Sequence, residues 1–189
     1  MYNSFLLHPL QTFKNPFMKR LLLILALGTF GISASAQNTD DKKASTGTTL
    51  SIGVEAAYPF GKLGDVSSFG LGGSAKVAIP AGPGAVTLSG GYVNFFGKEI
   101  GNTGVKFANT YLIPLKAGYR FNLGDSGFNF EPQAGYSVGK GSSGGFTYAG
   151  NLGYMINNQI DISARYEGIS KSGTTMSFVG LRLAYNFGL

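Results

Sequence analysis

Nine ionisable side chains stand inside segments that otherwise alternate apolar and small polar residues: Glu55, Lys76, Lys116, Arg120, Glu131, Asp161, Arg165, Glu167 and Arg182. Five are cationic and four anionic, so together they nearly cancel. Such a set can line a narrow ion path, or it can fill and neutralise an enclosed interior. Catalysis by histidine or cysteine is closed to it. The chain has no cysteine, and its one histidine, His8, precedes an export signal. Without them neither Ser-His-Asp nor Cys-His machinery can assemble, and the usual zinc ligands are missing. Lys171-Ser172-Gly173 and Gly70-Leu71-Gly72-Gly73 resemble catalytic and phosphate-loop fragments, but neither has the strand-turn-helix setting that those motifs need. No cofactor, metal site or catalytic residue is assigned.

The segments that carry the nine charges repeat with the period of a β-strand. From Asn109 to Phe121 the apolar set is Tyr111, Ile113, Leu115, Ala117, Tyr119 and Phe121, with Thr110, Lys116 and Arg120 between them. After a turn over residues 122–127, the pattern resumes with Phe128, Phe130, Pro132, Ala134, Tyr136 and Val138 against Asn129, Glu131, Gln133 and Ser137. Similar alternation runs from Leu50 to Phe60, Leu71 to Ile79, Ala85 to Phe96, Phe146 to Ile156, Ile160 to Glu167 and Phe178 to Phe187. Val93 and Phe95 break it near the end of the third strand. Residues 61–70, 97–106, 139–145 and 168–173 read as loops. The parity of Ile156 and Ile160 asks for a three-residue connection, Asn157-Asn158-Gln159, with asparagine at positive φ. Pro114 and Pro132 each remove a ladder donor, which a local bulge would accommodate.

The pattern therefore predicts eight antiparallel strands joined by short connections, an all-β up-and-down barrel. Thirty glycines, 25 Tyr plus Phe and only 13% charged residues fit one strand-and-turn domain. Ahead of it, residues 18–36 read as a signal peptide: Met18-Lys19-Arg20, then twelve apolar or small residues from Leu21 to Ile32, then Ala34-Ser35-Ala36. Twelve residues are too few to span a bilayer as a helix. Residues 1–17 sit oddly in front of this signal, and translation from Met18 is expected. Residues 37–47 read as a flexible periplasmic tail and 48–189 as the barrel. Cleavage after Ala36 leaves twelve basic and nine acidic residues, a net +3, too weak and dispersed for nucleic acid.

The remaining choice is which face meets water. All nine in-strand charges lie opposite the apolar residues, and the other twelve charges of the exported chain fall in the tail, loops or turns. On a lipid-facing surface, Lys or Arg at the midplane costs roughly 2–4 kcal/mol, which accounts for their exclusion from that face. The nine charges are expected to share a narrow lumen, with a Lys116–Glu131–Arg120 cluster and an Asp161–Arg182 contact. The cluster follows from pairing Phe121 with Phe128, Lys116 with Gln133 and Arg120 with Asn129, and the Asp161–Arg182 contact would lie across the seventh and eighth strands.

With the first strand starting in the periplasm, Tyr119, Phe121, Phe128, Phe130, Tyr154, Tyr185 and Phe187 fall at one rim. Tyr58, Phe60, Phe96, Tyr111, Phe146, Tyr148 and Tyr166 fall towards the other. These are the aromatic girdles of a membrane barrel. An exported soluble barrel binding a small ligand is the alternative.

The Tyr111–Phe121 strand, the Ile160–Gly168 strand and the closing Gly180-Leu-Arg-Leu-Ala-Tyr-Asn-Phe187, behind a signal ending Ser-Ala-Ser-Ala-Gln, resemble the small bacterial outer-membrane β-barrel domain family of OmpA-like and OmpX-like architecture. The resemblance covers nearly the whole exported chain. It implies a monomeric transmembrane barrel in the outer membrane, in contact with its lipid and lipopolysaccharide and handled by the barrel-assembly machinery during biogenesis. Enzymes of similar build use a rim histidine, which this chain lacks. A non-enzymatic structural or surface-interaction role is therefore expected, with an interior just filled by side chains or at most a very narrow pore. Phe187 is followed by Gly188 and Leu189, whereas such barrels commonly finish on the aromatic itself.

Overall fold

A computed structural model describes residues 47–101, 103–140 and 144–189. The leader, the export signal and nearly all of the tail lie outside them. Within them the alternating segments form β1 (Thr49–Gly61), β2 (Ser67–Ala81), β3 (Gly84–Gly97), β4 (Thr110–Asn122), β5 (Phe128–Gly139), β6 (Gly145–Ile156), β7 (Ile160–Lys171) and β8 (Thr174–Gly188). Each pairs antiparallel with its sequence neighbour, and β1 also pairs with β8. The sheet thus closes on itself and leaves no edge whose backbone groups lack partners.

Both described ends of the chain lie at one end of the barrel, where Leu189 N donates to Thr48 O at 2.9 Å. The connections there are short. Asn157 and Asn158 carry the left-handed φ of 49° and 57° that the Ile156–Ile160 pair demands. At the far end, β7 and β8 are longer than their alternation alone suggests. They meet in a two-residue turn with Ser172 at φ 49° and Gly173 at φ 78°, the twist-matched hairpin type. The segment from 61 to 70 is not a plain loop either. It holds a one-turn helix, α1 (Lys62–Val66), and the first residues of β2.

Two expectations about the ladder are corrected. β4 and β5 pair Phe121 with Phe130 and Asn122 with Asn129, not Phe121 with Phe128. Leu123 N donates to Phe128 O at 2.8 Å, so the turn closes two residues nearer its tip around a short 3-10 segment, Gly124–Ser126. A two-residue shift keeps every side chain on its face but changes its neighbours. Pro114 and Pro132 also sit without bulges. The β3–β4 ladder skips from Gly90–Leu115 to Val93–Leu112, and the β4–β5 ladder from Gly118–Gln133 to Phe121–Phe130, with register unchanged across each gap. Each proline faces a short unpaired stretch, so its missing N–H leaves the register intact.

Sidedness is inverted relative to a water-soluble fold. Leu181 is 64% exposed and Glu131 1%. Ile52, Val54, Leu88, Leu115 and Leu152 are likewise turned outward, forming an apolar belt far larger than the patches tolerated on soluble monomers. The buried apolar cluster lies at the end away from the termini. There Ala57, Leu63 of α1, Val93, Phe95, Leu112, Ile169 and Phe178 form one cluster inside the barrel.

Candidate functional site in the bore

The strand period points one side chain in two into the barrel, and a narrow bore brings distant strands within reach of one another. All nine in-strand charges, Glu55, Lys76, Lys116, Arg120, Glu131, Asp161, Arg165, Glu167 and Arg182, are buried there. Their partners are mostly not adjacent-strand neighbours. Glu131 on β5 accepts from Lys76 of β2 at 2.9 Å and from Arg120 of β4 at 3.3 Å. It is fixed further by Thr87 Oγ1 at 2.9 Å and Gln133 Nε2 at 2.6 Å. Arg120 continues across the bore to Asp161 of β7 at 3.5 Å.

A second group lies beside the first. Lys116 of β4 is ion-paired with Glu167 of β7. Glu167 is also 3.2 Å from Arg165 Nε. Arg165 then donates both terminal nitrogens to Glu55 of β1, at 3.2 and 2.5 Å. Glu55 closes the seam by facing Arg182 of β8, at 3.6 Å.

The expected Lys116–Glu131–Arg120 cluster is therefore half right. Arg120 and Glu131 meet, because the corrected register brings them nearly opposite, but Lys116 turns to Glu167 and Lys76 takes its place. The expected Asp161–Arg182 pair gives way to Asp161–Arg120 and Glu55–Arg182. Pairing across a bore is set by barrel stagger, which a single strand's alternation does not carry.

An apolar cluster occupies one end of the bore. Phe95 and Phe178 meet edge to face at 5.3 Å between ring centres, and α1 adds Leu63 to the stopper. Val93 and Phe95, which break the apolar pattern on paper, point inward and build this cap; two aromatic or branched residues at lumen parity were the available signal. At the termini end the bore widens into a vestibule of about 440 Å³ lined by Arg120, Asn122, Asn129, Tyr154, Asn158 and Asn186. Among the described residues, no cluster of three or more His, Cys, Asp or Glu is placed to hold a metal ion.

The outward aromatics gather towards the two ends. Towards the termini, Phe128 packs on Tyr154 at 4.8 Å, Tyr119 on Phe121 at 4.6 Å and Tyr185 on Phe187 at 4.8 Å, with Phe130 alongside. Towards the far end, Tyr166 contacts Phe60 and Tyr148, Tyr148 contacts Phe146, and Tyr111 stacks on Tyr92. Phe96 stacks on Phe69, and Tyr58 is exposed nearby. Phe96, Tyr111 and Tyr119 are half-buried. Phe69, Tyr92 and Tyr136 join the far band; Phe69 is missed on paper because the start of β2 reads as loop.

A closed antiparallel barrel with hydrocarbon outside and ion pairs inside is the architecture of bacterial outer-membrane proteins. The family model described as the outer membrane protein beta-barrel domain matches residues 22–187. The chain belongs to that family. It is an integral outer-membrane β-barrel protein. No curated protein matches it in sequence. Among solved structures, this outer-membrane barrel resembles Ail of Yersinia pestis, determined in a phospholipid bilayer nanodisc, at 16% identity and a TM-score of 0.57. The match covers 75% of this chain and 99% of Ail. It also resembles Neisserial surface protein A, at 16% identity, TM-score 0.51 and coverage of 75% and 97%. A third likeness is to the N-terminal barrel domain of Pseudomonas aeruginosa OprF, at 17%, 0.53, and 74% and 97%. At such identities the likeness is one of fold.

Proposed function

We propose that this outer-membrane barrel is a non-enzymatic wall and surface-interaction protein whose bore is sealed. The observation that carries this is the Phe95–Phe178 stopper over an ion-paired interior. A path for hydrated ions must cross both the apolar cap and a layer of buried ion pairs that span the bore, so a narrow pore is the weaker reading. The nine buried charges act as the filling of the bore, holding opposite walls together.

The two aromatic bands serve as interfacial girdles, and the termini end, with its short turns, faces the periplasm. Export uses the signal at 18–36 with cleavage after Ala36, followed by insertion through the barrel-assembly machinery as a monomer. The outer face is then the loop end, where Lys62, Lys98, Lys106, Lys140 and Lys171 are exposed alongside only Asp65 and Glu99. A rim with this excess of cations suits the phosphates of lipopolysaccharide.

Two measurements test the reading together. Purified protein reconstituted in planar bilayers gives no discrete conductance, and on detergent gels the unheated protein migrates faster than the heated one. Steady single-channel steps would overturn the sealed bore. Release into the soluble fraction by carbonate would instead support an exported soluble barrel.

A further inference from the structure

The bore's charges do not quite balance, and the imbalance can be placed. Lys76, Glu131, Arg120 and Asp161 form a neutral group, two cations with two carboxylates. Lys116, Glu167, Arg165, Glu55 and Arg182 form the other, with three cations and two carboxylates. Of the five cations, Arg182 makes the longest carboxylate contact. Its nearest carboxylate, Glu55, is 3.6 Å away and is already held by both terminal nitrogens of Arg165. The other Arg182 contacts are to neutral hydroxyls, Nε to Ser74 Oγ at 2.8 Å and Nη2 to Ser51 Oγ at 3.0 Å. Its Nη1 is buried and makes no hydrogen bond to any protein group. A buried, uncompensated guanidinium is costly, and it cannot shed its proton to escape the cost.

Beside Arg182 the bore holds a space of about 20 Å³, also lined by Lys76, Lys116, Arg165, Glu55 and Gln133. On this measure one water needs about 10–15 Å³, so a single small particle fits and sulfate or phosphate does not. Four cations against one carboxylate line it, so a cation is repelled, and water fills the space without neutralising the surplus.

We propose that this mid-bore space is a binding site for one monovalent halide, chloride in the ordinary setting, held against Arg182 and completing the electroneutrality of the interior. The halide is a structural counter-ion. It locks the β8 wall to the β1 seam beside the unpartnered Arg182 Nη1.

The test uses the full exported chain folded in detergent. Thermal loss of the fast-migrating folded band is followed in sodium chloride or bromide and in sodium gluconate at equal ionic strength, and crystals are grown in bromide. The expected result is a higher midpoint in halide, rising with halide concentration, and an anomalous bromide peak within hydrogen-bonding distance of Arg182. Arg182→Met removes the surplus and should abolish the halide dependence. Glu55→Gln adds one more unpaired cation and should steepen it, so the proposal stays open to refutation if either variant fails to fold. Equal midpoints in halide and gluconate, a water in place of bromide, or a halide effect that persists in Arg182→Met would overturn it.

Discussion

Arg165 lies with its guanidinium carbon 5.6 Å from the centre of the Phe178 ring, at the level where the ion-paired bore gives way to its apolar cap. Glu55 and Glu167 bind the same guanidinium, so one cation joins the charged layer to the stopper. Phe178 is 1% exposed. Replacing it with alanine removes a fully packed ring, and such changes cost about 3–5 kcal/mol. Phe178→Leu keeps most of the volume and forfeits chiefly the ring–cation attraction, about 0.5–2 kcal/mol. Urea unfolding of the vesicle-inserted protein should rank the variants in that order. Equal, small losses would mean that the cap is loosely packed.

Glu131 is the hub of the neutral group, with Lys76, Arg120, Thr87 and Gln133 all directed to its carboxylate. Glu131→Gln leaves two buried cations sharing one remaining carboxylate, Asp161. Breaking a buried pair in this way costs about 3–5 kcal/mol. Adding Lys76→Met to Glu131→Gln restores neutrality and should recover part of the loss, with a coupling of about 0.5–3 kcal/mol in a double-mutant cycle. Strict additivity would show that Lys76 and Glu131 do not depend on each other.

Neighbouring positions on β8 make the sidedness measurable. Leu181 points out and Arg182 points in, one residue apart. Leu181→Arg places a charge on the outward face near the middle of the strand, and on a lipid-facing midplane this costs about 2–4 kcal/mol. The same change at Leu123, exposed in a turn of the termini end, should be nearly neutral. A harmless Leu181→Arg in vesicles would argue against lipid contact at that level.

Most of the fold is legible in the sequence because one physical demand, polar inside and apolar outside, is written at every second residue. Eight strands, their faces and the asparagine turn at 157–159 all follow from that parity. What parity cannot carry is stagger. Glu55 and Arg182 face each other only because β1 and β8 close the seam, and nothing local to either strand announces it. Lys116 finds Glu167 across the bore for the same reason. The apolar cap was hidden differently: Val93, Phe95, Ile169 and Phe178 are greasy residues at lumen positions, where the rule that reads the rest of the barrel predicts polar ones.

The β4–β5 register is where a slip of two residues would go unnoticed by any pattern, since both registers keep Lys116, Arg120 and Glu131 inside. The closing Leu123–Phe128 hydrogen bond decides between them, and it pairs Phe121 with Phe130. The chain has no cysteine, so an introduced pair has no native competitor. Directly opposed strand residues lie about 4.5–5.5 Å apart between Cα atoms, within the usual disulfide span of about 4.4–6.8 Å. Phe121→Cys with Phe130→Cys should therefore oxidise readily in the folded barrel and shift its gel mobility on reduction. Phe121→Cys with Phe128→Cys should stay reduced, because Phe128 lies two places further along the partner strand. Efficient closure of the second pair and not the first would restore the alternative register, and with it a Lys116 directed towards Glu131.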